Sequence, residues 1–430
     1  MAENFNKKTI RDVDLKDKLV FLRADYNVPI ENGHITSDLR IKQSLPTINY
    51  LIENGARVVI CSHLGRPKGP EKALSLRPVA ERLGQLLDQK VTFCESTIGD
   101  EANRLKKELK SGEILLLENV RFYPEEKSND NKFAKSLAEG IDIFVQDGFG
   151  VVHRAHASTE AVPNLIEHKV AGFLLETEVT KILDVMQDPK RPLVALIGGA
   201  KISDKIELID KFIEIADAVL IGGAMANTFL KAQGREIGDS LFEPDMIAEV
   251  KKIMDKAQDR VESDKFVFYL PQDGVASQKM DTYTTTRIVD WSAHSVASID
   301  SYPKNPARIT NMVRDNESIY DIGPFSGSFM AGVIQMAETV VWNGAMGVTE
   351  VNALHSPIGP FAHGTDLVVQ AMTGEYGKKP TVIVGGGDTT GYVENRGIIE
   401  LFDHVSTGGG ACLDLMVGKK LPGIEALDKA

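Results

Sequence analysis

Residues 381–390 read TVIVGGGDTT, an apolar run that passes directly into three glycines, an aspartate and two threonines. The β-branched residues of 381–384 predict a buried strand, and the segment after the glycines can form a helix. A glycine turn between the two leaves backbone N–H groups at the helix N-terminus free to hold phosphate. Asp388 adds a hard oxygen ligand that suits Mg²⁺. This stretch therefore predicts an α/β fold with an anion site at the end of a strand.

The same layout of a strand followed by a glycine turn recurs elsewhere in the second half of the chain. The further copies are LVALIGGAK (193–201), VLIGGA (219–224), TVVWNGAMG (339–347) and HVSTGGGA (404–411). Ligands of open α/β sheets bind outside the carboxyl ends of the strands. Together these turns indicate a floor for a polyphosphate ligand.

Short β-branched runs alternate with amphipathic stretches along the whole chain, which predicts parallel α/β sheets covered by helices on both faces. So many strands favour two domains, with the boundary near 172–192, where 173–187 reads as one long helix. Segment 276–316 shows poor periodicity. Strand candidates are 18–23, 57–62, 91–94, 114–118, 141–146, 193–197, 218–222, 266–270, 318–322, 339–343 and 381–384. Helix candidates include 40–54, 78–89, 131–139, 204–215 and 243–258.

Composition narrows the class of protein. The chain has 430 residues, is 43% hydrophobic and carries a formal net charge of −12, which disfavours nucleic acid as a partner. It has no apolar run long enough to span a membrane, and residues 1–18 do not resemble a secretory signal. Its three cysteines show neither metal-ligand spacing nor a disulfide framework, which fits a reducing compartment.

Arginines gather at the ends of the strand candidates of the first half. Arg23, Arg66, Arg121 and Arg154 each follow or end such a run, and Arg40 opens the first helix. Guanidinium groups bind carboxylate and phosphate in a bidentate fork, so converging arginines indicate a small, highly anionic ligand. A surface ion pair is the alternative for any single arginine. Nearby polar residues add hydrogen-bonding groups; they are Asp25, Asn27, His63, His153 and His156.

The second half lacks the familiar nucleotide motifs. It has no GxxxxGK[ST], no HRD with DFG and no GxGxxG after a first strand, which argues against Walker NTPases, protein kinases and an α/β oxidoreductase. Instead, Lys201 and Lys205 stand one turn apart in GGAKISDK (198–205), which predicts two ammonium groups on one face of an opening helix. A solvated helix start is the alternative. Glu350 follows NGAMG (343–347) and can accept hydrogen bonds from ribose, or it is an ordinary exposed carboxylate.

These motifs together closely resemble those of the phosphoglycerate kinase family. The matching pieces occur in the family's order and span nearly the whole chain. They are RADYNVP (23–29), SHLGRP (62–67), LLENVRF (116–122), DGFGVVHRAHAS (147–158), GGAKISDK (198–205), NGAMGVTE (343–350), VGGGDTT (384–390) and HVSTGGGA (404–411).

The resemblance implies two Rossmann-like lobes with parallel sheets flanked by helices, joined by a hinge helix. It implies an N-terminal phosphoglycerate-binding lobe at 1–172 to which 406–430 return, a hinge at 173–192 and a nucleotide-binding lobe at 193–405. The implied reaction is reversible phosphoryl transfer from 1,3-bisphosphoglycerate to MgADP, giving 3-phosphoglycerate and MgATP, in a cytoplasmic monomer of glycolysis. Because the acceptor carboxylate is already ionised, no general base is expected.

The resemblance also implies roles for individual residues. The substrate-binding set is Asp25, Tyr26, Asn27, Arg40, His63, Leu64, Gly65, Arg66, Arg121 and Arg154. The nucleotide-binding set is Lys201, Lys205, Asn343, Glu350, Gly386, Gly387, Asp388 and Thr389, with Asp388 on Mg²⁺. The catalytic set is Arg40, Lys201, Gly386 and Gly409.

The second half departs from the family pattern at several positions toward the nucleoside end of the site. They are Gln272, the long segment 276–318, Phe325, Ala345 and Thr349. These departures leave nucleotide preference open. They also support a second hypothesis, in which a family member without turnover binds phosphoglycerate as a sensor or interaction protein. Arg40, Lys201, Lys205 and Asp388 argue against it.

Overall fold

A computed structural model of the chain describes residues 5–291, 309–310 and 312–430. The chain divides into two compact units. Unit 1 comprises Met1–Asp184 and Thr407–Ala430, and unit 2 comprises Val185–Ser406. The chain thus passes between them twice, once inside the helix Phe173–Gln187 and once between Ser406 and Thr407.

Unit 1 contains a six-stranded parallel sheet in the order β5-β6-β4-β1-β7-β8. Its four inner strands are buried along their length except at the first residue of β4, as expected where helices cover both faces. The strands are β1 (Leu19–Arg23), the hairpin strands β2 (Ile30–Glu31) and β3 (His34–Ile35), β4 (Arg57–Cys61), β5 (Val91–Cys94), β6 (Ile114–Leu117), β7 (Ile143–Gln146) and β8 (His168–Ala171). The α-helices lying wholly in unit 1 are Leu39–Glu53, Arg77–Leu87, Asp100–Glu108, Pro124–Lys127, Asn131–Ala138, Gly410–Met416 and Pro422–Glu425.

Unit 2 contains a second six-stranded sheet, in the order β11-β10-β9-β16-β17-β18, whose pairs are all parallel. A smaller mixed sheet, in the order β14-β13-β12-β15, lies in the same unit. The strands are β9 (Leu193–Ile197), β10 (Ala218–Ile221), β11 (Val267–Tyr269), β12 (Asp273–Ser277), β13 (Arg287–Asp290), β14 (Ile309–Thr310), β15 (Ser318–Ile322), β16 (Thr339–Asn343), β17 (Thr381–Gly385) and β18 (His404–Val405). Among the described residues, the α-helices lying wholly in unit 2 are Ile206–Ile215, Met225–Ala232, Ile247–Ser263, Pro324–Met336, His363–Thr373 and Gly387–Asn395.

The prediction of two parallel-sheet α/β units flanked by helices is confirmed. The predicted strands appear within one or two residues at each end, whereas β2, β3 and β8 were not predicted. The segment predicted as irregular, 276–316, contributes to three strands of the mixed sheet, and its residues 292–308 and 311 lie outside the described part. Those strands are short and polar, so they lack the apolar alternation that marks a strand. Among the described residues, no helix has both the length and the apolar character needed to cross a bilayer.

The C-terminal segment of unit 1 is held by backbone hydrogen bonds to residues far away in sequence. Asp428 accepts from Lys8 N at 2.9 Å and donates through its own N–H to Lys169 O at 2.9 Å. Gly423 N donates to Val152 O at 2.9 Å, and a Cβ at Gly423 would lie 2.9 Å from the Cα of Val152. Residues 407–430 are therefore an integral part of unit 1.

The helix Phe173–Gln187 begins against a buried carboxylate. Asp147, which follows β7, accepts hydrogen bonds through Oδ1 from Leu174 N at 3.0 Å and Leu175 N at 3.4 Å, while its Oδ2 has no partner among the described residues. Burial raises the pKa of Asp147 to about 7, although hydrogen bonds from Thr47 and the helix N–H groups oppose this rise. The helix start therefore carries a group that titrates near neutral pH.

Replacing Asp147 by asparagine should remove a pH dependence of stability. The folded pKa of Asp147 is raised above the unfolded value, so between about pH 4 and pH 7 the folded state binds more protons and stability falls as pH rises. From pH 5 to pH 8 the wild type should lose about 3 kcal/mol of unfolding free energy relative to Asp147→Asn, at about 1.4 kcal/mol per pKa unit. Urea unfolding at several pH values measures this, and parallel profiles for the two proteins would contradict it.

Candidate active site

The residues predicted to form the site in unit 1 lie mostly at the carboxyl ends of its strands. Asp25–Asn27 follow β1, His63–Arg66 follow β4, and Arg121 lies in the short 3₁₀ helix Val120–Phe122 after β6. Arg154 comes after β7. Because the strands are parallel, these segments share one edge of the sheet.

Arg40 extends from the first turn of the helix Leu39–Glu53 and binds three oxygen atoms of unit 1. Its Nη1 donates to Asp25 Oδ2 and to Asn27 O, both at 3.1 Å, and its Nη2 donates to Thr407 O at 3.3 Å. Burial alone would raise the pKa of Asp25, but the guanidinium groups of Arg40 and Arg23 and the hydrogen bond from Asn27 N outweigh it and bring this pKa to about 2. The Asp25 carboxylate that Arg40 binds is therefore ionised at neutral pH.

Thr407 is itself held by a buried carboxylate of the helix Phe173–Gln187. Glu178 Oε1 accepts from Thr407 N at 2.8 Å and from Thr407 Oγ1 at 2.9 Å. The side chain of Glu178 is buried completely. A chain of contacts thus runs from this helix through Thr407 to Arg40.

Arg121 is almost fully buried and still has unused donors. Its Nη1 donates to Gly65 O at 2.8 Å, whereas Nε and Nη2 have no hydrogen-bond partner within the described part of the chain. Gly65 N in turn donates to Asn27 Oδ1 at 2.7 Å. Gly65 has φ +65°, and a Cβ there would lie 2.9 Å from the Leu74 side chain, so the turn requires glycine. Buried donors without partners indicate a place for an anionic ligand.

The histidines of this site are not charged at neutral pH. His63 is buried, with Nδ1 3.7 Å from Asp25 Oδ1, and burial lowers its pKa well below the usual value despite that carboxylate. His153 accepts a hydrogen bond at Nε2 from Arg154 Nε at 3.0 Å, and burial likewise lowers its pKa. Burial and the surrounding arginines lower the pKa of His156 to about 4. Positive charge in this site therefore comes from arginine.

Arg66 is exposed and forms no hydrogen bond or ion pair with any residue that the structure describes.

Three other residues of the same motifs turn inward and cannot contact a ligand through their side chains. Arg23 is fully buried and donates to Ser158 Oγ at 2.7 Å. Tyr26 is buried with its hydroxyl 2.9 Å from Ser44 Oγ. Leu64 packs in the core, and Asn119, which sequence reasoning missed, binds both its N–H and its C=O. These three side chains are therefore structural, and the prediction that Tyr26 and Leu64 bind substrate stays a prediction.

The lysines of unit 2 differ from the prediction. The helix begins only at Ile206, so Lys201 and Lys205 lie in the preceding turn and not on one helical face. Lys205 Nζ donates to Gly198 O at 2.7 Å and to Asn343 O at 2.9 Å, and burial lowers its pKa to about 8 although Asp388 opposes this shift. Lys201 is exposed. Lys205 therefore braces two glycine turns, while the side chain of Lys201 extends into solvent.

The turn after β16 is fixed through both backbone polar groups of Gly344. Gly344 N donates to Thr389 Oγ1 at 2.7 Å, and Trp342 Nε1 donates to Gly344 O at 2.9 Å. Asn343 is buried, and neither atom of its amide group has a partner among the described residues. Thr389 is buried as well and braces this turn. The orphaned amide of Asn343 is a second indication of a polar ligand.

The glycine run after β17 begins a helix, as predicted. Gly386 has φ +92°, and a Cβ there would lie 3.3 Å from the Asn343 amide. Gly387 and Asp388 form the exposed first turn of the helix Gly387–Asn395, whose N–H groups have no intrahelical partners. Glu350 is exposed. In unit 1, Gly409 has φ +50°, with open space where a Cβ would stand.

No cluster of three or more His, Cys, Asp or Glu side chains able to hold a metal occurs in the described part of the chain. Mg²⁺ commonly binds through one or two carboxylates and the phosphates of a substrate. The exposed carboxylate of Asp388 beside a helix N-terminus fits that mode. A cage built by the protein alone does not fit.

Two departures from the family pattern take part in starting the helix Pro324–Met336. Asp273 accepts hydrogen bonds from Phe325 N at 2.9 Å and Ser326 N at 2.8 Å. Ser326 Oγ accepts from Gln272 N at 2.9 Å. Phe325 is 41% exposed. Gln272 and Phe325 therefore belong to a helix cap.

Comparison with known proteins supports the resemblance of the motifs to the phosphoglycerate kinase family. The sequence model of the family described as phosphoglycerate kinase matches residues 10–419. The chain belongs to the phosphoglycerate kinase family. A phosphoglycerate kinase of Koribacter versatilis is 44% identical over 430 residues, covering 98% of this chain and 99% of that protein. A cytosolic phosphoglycerate kinase 3 of Arabidopsis thaliana is 42% identical over 431 residues and is covered completely.

Solved structures agree. The phosphoglycerate kinase of Pyrococcus horikoshii aligns with a TM-score of 0.81 at 31% identity, and that of Coxiella burnetii with 0.79 at 36% identity, each over 98% of both chains. The resemblance to the phosphoglycerate kinase family is confirmed. Similarity over the full length supports the kinase interpretation, a phosphotransferase with a carboxyl acceptor, over the non-catalytic one.

Proposed function

We propose that this chain is an active phosphoglycerate kinase that transfers the acyl phosphate of 1,3-bisphosphoglycerate to MgADP and runs the reverse reaction with MgATP. One observation carries the proposal most directly: near Asn27 and Gly65, the buried guanidinium of Arg121 has two nitrogen atoms without a hydrogen-bond partner among the described residues. A buried donor without a partner costs free energy, and an anionic ligand removes this cost by accepting the hydrogen bond. Phosphoglycerate, with a carboxylate, a phosphate and a hydroxyl, supplies such groups.

In this proposal unit 1 binds phosphoglycerate. Arg66, Arg121 and Arg154 hold its phosphate through charge-assisted hydrogen bonds. Asp25, Asn27 and neutral His63 bind its hydroxyl and carboxylate. Arg40, already oriented by Asp25 and Thr407, meets the moving phosphoryl group. Gly409, with no Cβ in the way, lets backbone N–H groups approach the same group.

Unit 2 binds the nucleotide. Lys205 and the helix start at Gly386–Thr389 bind the phosphates, and the side-chain amide of Asn343 hydrogen-bonds to them. Glu350 accepts hydrogen bonds from the ribose hydroxyls. Lys201 meets the transferred phosphoryl group. Asp388 would hold Mg²⁺, which supplies charge neutralisation at the phosphates when bound.

Phosphoryl transfer of this kind depends on positioning and charge more than on covalent chemistry. The acceptor is the carboxylate of 3-phosphoglycerate, which is ionised at neutral pH, so no residue has to remove a proton. An acyl phosphate also has to be kept from water. We therefore propose that bending at the helix Phe173–Gln187 and at residues 406–407 brings the two ligands together. We also propose a cytoplasmic monomer of glycolysis and gluconeogenesis.

The direct test is a coupled assay of 3-phosphoglycerate phosphorylation with MgATP, run beside MgGTP and with a chelator control. Turnover with MgATP that stops when Mg²⁺ is removed supports the proposal. Preference for GTP would assign the departures at the nucleoside end to specificity. Binding of 3-phosphoglycerate without turnover on either nucleotide would overturn the proposal in favour of a sensor or interaction protein.

A further inference from the structure

The carboxylate of Glu243 holds the segment that carries Lys201, although Glu243 itself lies outside the motifs that resemble the family. Glu243 Oε2 accepts from Ile202 N at 2.6 Å and from Ser203 N at 3.2 Å. Its Oε1 accepts from Ser203 Oγ at 2.6 Å. Ile202 and Ser203 directly follow Lys201, and Ile202 is fully buried. The carboxylate therefore fixes the backbone from which the Lys201 side chain extends.

Glu243 is anchored in turn by the helix Met225–Ala232, which begins after the glycine pair at 222–223. Glu243 N donates to Thr228 Oγ1 at 3.1 Å. From the same helix, Asn227 Nδ2 donates to Leu241 O at 3.1 Å. Both side chains on this helix are buried. The contacts of Glu243 thus tie the glycine turn after β9 to the glycine turn after β10, two of the turns that the sequence marks as a phosphate floor.

This arrangement has an electrostatic consequence. The N–H groups of Ile202 and Ser203 are occupied by Glu243 and cannot bind a phosphate. Burial disfavours the charged carboxylate, but hydrogen bonds from Ser203 and Ile202 and the charge of Lys201 lower the pKa of Glu243, so it is ionised at neutral pH. A negative charge beside a phosphate site weakens anion binding. Glu243 therefore opposes nucleotide affinity while it orders the lysine segment.

We propose that Glu243 is a positioning residue that holds Lys201 for phosphoryl transfer at the expense of nucleotide affinity. The inference rests on the proposed function, in which Lys201 meets the transferred phosphoryl group. Interactions that act on the transition state raise kcat, whereas affinity for the ground state alone does not. Loss of the three contacts should therefore change kcat and KM in different ways.

Two substitutions separate the contacts from the charge. In Glu243→Gln the amide oxygen can accept from both N–H groups and the amide nitrogen can donate to Ser203 Oγ, so the contacts remain and the charge is lost. In Glu243→Ala both are lost. Glu249→Ala, on the exposed side of the helix Ile247–Ser263, is the matched control.

The coupled assay with MgATP and 3-phosphoglycerate should give kcat reduced about tenfold or more in Glu243→Ala, with the KM for MgATP unchanged or lower. Glu243→Gln should keep kcat within about twofold of the wild type, again without a rise in this KM. Glu249→Ala should match the wild type, and the KM for 3-phosphoglycerate should not change in any variant.

Each alternative result has a definite meaning. An inactive wild type would overturn the proposed function and this inference with it. An active wild type with unchanged kcat in Glu243→Ala would overturn the inference alone. A raised KM for MgATP together with a lowered melting temperature in both Glu243 variants would assign a purely structural role and would also overturn it.

Discussion

Replacing Arg40 by alanine should lower kcat by about a hundredfold or more and leave MgADP binding nearly intact. Removal of one preorganised donor from a phosphoryl or acyl site has effects of this order. Arg40 is held by Asp25 Oδ2, Asn27 O and Thr407 O, so its guanidinium is oriented before any ligand arrives. All of these contacts lie in unit 1, whereas the proposed nucleotide site is built from unit 2. Turnover from the coupled assay and MgADP titration by calorimetry measure the two effects.

Two further variants sharpen the Arg40 experiment. Arg40→Lys keeps the charge but lacks the planar fork, so it should recover only part of the lost turnover. Arg104→Ala removes an exposed arginine that pairs with Glu108 on a surface helix, and it should behave like the wild type. If MgADP affinity fell as far as kcat in Arg40→Ala, the division of ligands between the units would be wrong.

Replacing Glu126 by alanine should destabilise the protein by about 3–5 kcal/mol, the usual effect of stranding a buried charge. Glu126 and Arg23 are both fully buried, 4.0 Å apart, and Ser158 bridges them. Ser158 Oγ donates to Glu126 Oε1 at 2.6 Å and accepts from Arg23 Nε at 2.7 Å, while Ser158 N donates to Glu126 Oε2 at 2.9 Å. Without the carboxylate, the guanidinium of Arg23 would lose its acidic partner in the core. Urea unfolding of the wild type and the variant measures the difference.

Glu125→Ala is the matched control for this stability effect. Glu125 is the neighbouring residue of the same short helix, Pro124–Lys127, and its side chain is exposed. An exposed substitution of this kind should change the unfolding free energy by less than about 0.5 kcal/mol. Equal losses in the two variants would show that Glu126 is not needed to balance Arg23.

The sequence predicts the strand ends and their glycines well because these signals are local. A run such as TVIV followed by GGGD specifies a buried strand, a turn and a helix start without help from the rest of the chain. Arg121 and Arg40 could be found for the same reason, since each follows or opens a predicted element. Parallel connection then brings such ends to one edge of a sheet.

The directions of side chains could not be read from the motifs. Tyr26 turns inward to Ser44, and Leu64 is held by Asn119, partners that are distant in sequence. Lys201 lies outside the helix Ile206–Ile215, and Glu243, some forty residues later, binds the backbone directly after it. Each of these results depends on a long-range contact, which a local pattern does not encode.

Because the chain passes between the units twice, the two units become complete in a fixed order during synthesis. Unit 2 is one continuous segment, Val185–Ser406, and can fold as soon as the ribosome has released it. Unit 1 is begun first but needs residues 407–430, which pair with Lys8, Val152 and Lys169. The half of the protein made first is therefore completed last. During translation, the part of unit 1 that is made first therefore lacks its contacts with residues 407–430 until all of unit 2 has been synthesised.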